Sequence, residues 1–205
     1  MRVQLLLSLL RSTINDDTYA RVLRTIGSGI KEAEVRVNMA HEENPKNLDM
    51  IVDDECDFVE NLLGAAFVVC QTQINTVTSR ALTVYGALPT ASETSYPSDP
   101  YKLYGRGAEA GELSKVTGMV ALANYFKHRS EWAADWSKQT GTAKHTISKV
   151  TKIGLKQNCS GNLRTGAEWL GNSSYEKTEI FVNEINAWSK LVLEDCLSLT
   201  QLEES

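Results

Sequence analysis

The sequence predicts an all-α helical bundle, and three observations carry that expectation. Apolar residues recur at helical spacing along several long segments, above all between Leu48 and Tyr85. No stretch alternates apolar and polar residues as a half-buried strand does. Glycine, proline and short polar residues gather into a few clusters, such as Asn44-Pro45 and Thr140-Gly141-Thr142, that separate the periodic segments. With 205 residues, 42% hydrophobic and 23% charged, the chain can bury a core without staples. It reads as a single helical domain over 1–205, with an N-terminal helical pair over 1–45, a long central helix over 46–87, a loop over 88–111 and C-terminal helices over 112–205.

The first helix is expected from Arg2 to about Ser12. Its apolar run is short and no small-residue cleavage site follows, so it reads as an ordinary helix rather than a signal peptide. Asn15-Asp16-Asp17 offers short polar side chains to the unpaired N–H groups of a second helix, which runs to about Glu43 and is stopped by Asn44-Pro45. From Leu48 to Tyr85, residues such as Val59, Leu63, Ala66, Cys70, Ile74 and Ala81 fall on one stripe. Asp49, Asp53, Asp57, Glu60, Gln71, Asn75 and Thr78 fall opposite, as on a long amphipathic helix of about 55 Å. Gly64 is the expected place for a bend or a close approach.

The segment after Gly86 holds Pro89, Pro97, Pro100, Gly105, Gly107 and Gly111 and reads as a long surface loop. Glu112 to about Trp136 reads as the next helix, with Leu113, Val116, Met119, Val120, Ala123 and Phe126 inward. A short basic helix from Ala143 to about Ile153, another from Leu163 to Leu170, and a last one from about Tyr175 to Leu197 complete the reading.

Charge is unevenly placed within a net of −5. From Glu42 to Glu60 there are eight acids and one lysine; from Lys127 to Arg164 there are eight lysines and arginines and two acids, Glu131 and Asp135. The basic region either meets an anionic partner or complements the acidic region within the fold or across a dimer. Cys56, Cys70, Cys159 and Cys196 lack the short spacing of a zinc knuckle or a redox pair. Together with the absence of any ~20-residue apolar span, this places the expected location in the cytoplasm, with no membrane partner.

The most individual stretch is Asn124-Tyr125-Phe126-Lys127-His128-Arg129. On a helix, Asn124 and His128 lie one turn apart, beside the buried stripe rather than within it. An imidazole there, with an amide and carboxylates in reach, suits general acid or base work. Equally, it suits a polar rim residue beside a packed Trp132.

The stretch Asn124–His128 resembles the last-helix motif of HEPN-type helical bundles. In that family an arginine followed by a polar residue precedes a histidine by about a turn. Members include RNA-cleaving toxins and phage-defence ribonucleases that act as dimers. The resemblance implies RNA as partner, a homodimer, Asn124 as the polar residue and His128 as the catalytic histidine. The arginine position holds Ala123, which leaves Lys127 and Arg129 as candidate cations. It further implies metal-free chemistry, in which a base takes the ribose 2′-hydroxyl proton and a cation meets the developing charge. No cofactor and no bound metal are expected.

Three further features suggest binding. Tyr101, Lys102, Tyr104 and Arg106 interleave aromatic and basic side chains, as in surfaces that stack bases and hold phosphates. Lys144, His145, Lys149 and Lys152 line a basic helix that either is solvated or meets a polyanion. Asp49, Asp53 and Asp57, with Glu60 alongside, repeat on one helical face, where carboxylates can hold Mg²⁺ if a second helix adds more, as in all-α nucleotide pyrophosphohydrolases. The other open class is a non-catalytic module that binds a protein partner, which exposed tryptophans at 132, 136, 169 and 188 would favour.

Overall fold

The computed structural model describes residues 2–88, 99–132 and 135–204. Pro89 and Pro97, within the expected loop, lie outside them. The architecture is an all-α bundle, without a strand among the described residues. In order come α1 (Arg2–Ile14), α2 (Thr18–Glu43), α3 (Leu48–Tyr85), α4 (Pro100–Tyr104), α5 (Lys115–His128), α6 (Gly141–Ile153), α7 (Asn162–Trp169) and α8 (Glu179–Glu204), with a 3₁₀ turn at Trp136–Lys138 before α6.

α3 has the predicted bounds, 38 residues or about 57 Å. Asn44 ends α2 in the left-handed conformation at φ 45°, its N–H bonded to the Ala40 carbonyl, and Pro45 follows. The reading of α3 as two-faced needs correction. Its stripe (Leu63, Phe67, Cys70, Ile74, Val77, Ala81) is fully buried, but Glu60, Gln71 and Thr78 are buried as well. α3 runs through the middle of the bundle, touching α1, α2, α4, α5, α7 and α8, so its polar side is covered over much of its length. The acidic N-terminal turns, with Asp49, Asp53 and Asp57, stay exposed, as does a narrow ridge through Asn61, Thr72, Thr76, Ser79 and Thr83. A helix that long with one continuous apolar stripe needs a long partner surface, which from the sequence alone suggests a second copy of the chain; the stripe is instead covered from within the chain.

Gly64 marks a close approach. A Cβ there would lie 2.1 Å from the Phe126 ring, so glycine is what lets α5 pack onto α3. Buried side chains from every helix join one hydrophobic cluster. Trp132 and Trp188 are part of it, and Trp136 and Trp169 pack against it, so none of the four tryptophans stands free as an interface anchor.

Two expectations fail locally. The expected loop contains α4, which starts at Pro100 and is capped by Asp99, whose carboxylate accepts the Tyr101 N–H over 2.9 Å. The helix expected to reach Trp136 ends at His128. Ser130 falls where the next inward apolar residue would be needed after Phe126, so the stripe runs out. The chain turns instead, through Glu131 N–H to the His128 carbonyl at 2.9 Å, and folds Trp132 back against Tyr125 with ring centroids 6.4 Å apart.

Candidate functional site

α5 is aligned by its own ends. Ser114 caps it, its hydroxyl oxygen accepting the Thr117 N–H over 3.0 Å. At the other end, Asn124 and His128 emerge on the wall of a cavity of about 710 Å³. α4 contributes Tyr101 to this cavity, the turn after α5 contributes Glu131 and Trp132, and α6 contributes a row of residues from Thr142 to Lys149.

The His128 side chain is 46% exposed and is not an aliphatically walled core histidine. Its Nδ1 lies 3.1 Å from both carboxylate oxygens of Glu131. The ring stacks on buried Trp132 at a centroid distance of 5.9 Å and an interplanar angle of 21°. Because α5 stops at His128, Glu131 reaches the imidazole from a turn and not from the same helical ridge. With Nδ1–H donated to Glu131, Nε2 is left as the proton acceptor.

Asn124 is held from behind. Gln71 of α3 donates Nε2–H to Asn124 Oδ1 over 2.9 Å, and Lys127 donates Nζ–H to Gln71 Oε1 over 2.7 Å. Lys127 is therefore spent on Gln71 and does not line the cavity. Arg129 turns to another side, donating to Asn61 Oδ1 over 3.1 Å with its guanidinium 4.9 Å from the Phe126 ring centroid. Neither of the two candidate cations beside His128 faces the site. Ala123, at the arginine position of the resemblance, is completely buried.

The cation at the cavity is Lys149, from α6. Its Nζ sits 4.6 Å from the centroid of the Tyr101 ring. Burial pushes the ammonium below its ordinary value, and nearby Asp99 opposes that shift. His145, one turn before Lys149, lines the same wall. Thus Tyr101, His145 and Lys149, expected separately, are brought together with His128 and Asn124, whereas Thr142 and Thr146 are the polar cavity residues that the sequence reading left out of the site. Their signal was the i, i+3 spacing of Thr142 to His145 and of Thr146 to Lys149 on one amphipathic helix.

The other expected binding residues lie elsewhere. Tyr104 is buried and donates its hydroxyl to Asn75 Oδ1 over 2.8 Å, so it cannot stack a base. Arg106 is ion-paired with Asp195 of α8. Lys102, Lys144 and Lys152 are exposed and do not line the cavity.

The acidic row on α3 is broken at Glu60. Glu60 Oε2 accepts the Leu163 N–H and Oε1 accepts the Arg164 N–H, each over 3.0 Å, and the Arg164 guanidinium adds a contact at 3.2 Å. Glu60 is a buried carboxylate holding the N-terminus of α7, where backbone N–H groups and the helix dipole favour negative charge. Among the described residues no three His, Cys, Asp or Glu side chains come together as a metal-binding group. No helix among them is long and apolar enough to cross a membrane.

No protein-family model, no curated protein and no solved structure matches the chain.

Proposed function

We propose that the chain is an RNA-directed protein whose cavity performs metal-independent phosphodiester cleavage. One observation carries the reading: a half-exposed imidazole, hydrogen-bonded to a carboxylate, stands on the wall of a large cavity that also holds a lysine and a second imidazole. His128 Nε2 takes the proton of a ribose 2′-hydroxyl, and the freed oxygen attacks the adjacent phosphorus. The 5′-oxygen leaves with a proton, giving a 2′,3′-cyclic phosphate and a 5′-hydroxyl. Glu131 orients the imidazole and supports the imidazolium that forms, as an acidic partner does in other histidine-based sites. Asn124, its oxygen occupied by Gln71, offers amide N–H groups to the ligand. The similarity of Asn124–His128 to the HEPN motif supports RNA as the substrate class and a homodimer as the assembly, in the cytoplasm.

The test is incubation of purified protein with RNA in EDTA beside the His128→Ala variant. Wild type is expected to cleave, and loss of the base to slow cleavage about 10²–10⁴-fold. Equal cleavage by both, or none by either, removes the reading. Light scattering gives the oligomeric state, two chains being expected.

A second reading, a non-catalytic module binding another protein, draws on exposed apolar side chains on α1, α2 and α3, among them Leu5, Leu9, Met39, Met50 and Phe58. It is the reading left if RNA is neither bound nor cut.

A further inference from the structure

We infer that the cavity-facing row of α6 is a phosphate subsite, in which His145 and Lys149 hold the anion opposite His128 within a single chain. For the role of the bound phosphate, though not for its binding, the inference rests on the ribonuclease reading.

The row is Thr142, His145, Thr146 and Lys149, spaced i, i+3, i+4 and i+7, and all four line the cavity. That spacing places them on one face of a helix. Every member can donate a hydrogen bond, two through hydroxyls, one through an imidazole and one through an ammonium. A helical face on which every polar side chain can donate, turned into a cavity, suits a ligand rich in acceptors.

Charge points the same way. The carboxylate on the cavity wall, Glu131, is engaged by His128. Lys149 makes no ion-pair contact among the described residues, the nearby Asp99 acting on it only from beyond contact distance; its ammonium rests instead over the Tyr101 ring. A partly desolvated cation without a fixed counter-ion favours an anion that brings its own oxygens. Tyr101, 58% exposed, leaves ring surface beside that cation on which the attached base can stack.

Lys149 thereby supplies the cation that the buried Ala123 cannot, and protonated His145 is placed to give the 5′-oxygen its proton as the P–O bond breaks. In the cleavage step His128 gains one proton and His145 loses one, so the site's proton count is unchanged.

The experiment titrates wild-type protein with inorganic phosphate and follows the imidazole resonances of His128, His145 and His41 by NMR. Binding in the millimolar range is expected to move His145 and His128 and to leave His41, on α2, in place. Lys149→Met and His145→Gln should each weaken binding at least about tenfold, the loss expected for a charge-assisted hydrogen bond. Lys149→Arg should retain it, and Lys144→Met and Lys152→Met, on the outer faces of α6, should change it little. Absence of binding by wild type, or equal weakening by the outer lysine variants, overturns the inference. RNA cleavage by wild type with undiminished cleavage by His145→Gln and Lys149→Met would sink the subsite while sparing the ribonuclease reading. Phosphate binding that depends on both residues, without cleavage of RNA, would do the reverse.

Discussion

Gln71 and Asn124, 53 positions apart in sequence, are joined amide to amide between α3 and α5 over 2.9 Å. The other end of the Gln71 amide receives Lys127. One buried side chain thus fixes which way Asn124 presents its amide and withdraws a lysine from the cavity. Gln71→Leu keeps the volume but removes both partners. Urea unfolding should show a loss of about 1–2 kcal/mol, since Asn124 loses its donor and Lys127 its acceptor together.

Glu60 is a sharper case. Glu60→Ala leaves two N–H groups at the start of α7 and the Arg164 guanidinium without their acceptor. A loss of about 3–5 kcal/mol is expected in urea unfolding, as for one half of a buried charge pair. Glu60→Gln retains one oxygen acceptor and should lose roughly half as much. Two equal, small losses would contradict the capping role.

Gly27 and Gly29 are neighbours on α2 with opposite expectations. A Cβ at Gly27 would lie 2.5 Å from the backbone oxygen of Glu176, which cannot step aside cheaply. At Gly29 it would lie 3.2 Å from a methyl of Leu62, which can. Gly27→Ala should lower the melting temperature, by an overpacking cost of about 1–3 kcal/mol. Gly29→Ala should leave it unchanged or raise it, with a helix-propensity gain of up to about 1 kcal/mol.

The Arg36–Glu55 pair joins α2 to α3 through two hydrogen bonds, of 2.5 and 2.8 Å. The bond from Arg36 holds the Glu55 carboxyl below its usual range. A group depressed in the folded state adds stability above its unfolded pKa and loses it as pH falls through the folded one. Between neutral pH and about pH 3, wild type should therefore lose more stability than Glu55→Gln, by a small margin, since Arg36 is half exposed and the pair is screened. Parallel curves for the two proteins would show the pair to be inert.

The bounds of α3 were legible because stop signals stand at both ends, Asn44-Pro45 before it and Gly86 after it. The end of α5 was not, because Trp132 and Trp136 suggest a helix running on although Ser130 breaks the stripe after Phe126, and only the packing of Trp132 onto Tyr125 shows the chain turning back. His128 could be placed beside the buried stripe from spacing alone. That α4 and α6 would meet it could not, since periodicity tells which face is covered but not by what. Glu60 passed for one more solvated acid because its partner, Arg164, lies 104 residues away.

The six helices gathered around α3 have a consequence for how the molecule opens. Amide protons along the middle of α3, between about Leu63 and Ala81, should be the slowest in the chain to exchange with deuterium, because releasing them requires its neighbours to come away. Their exchange should follow global unfolding, whereas the exposed turns near Asp49 should fray independently. A chain organised about one such axle comes apart in a single concerted event.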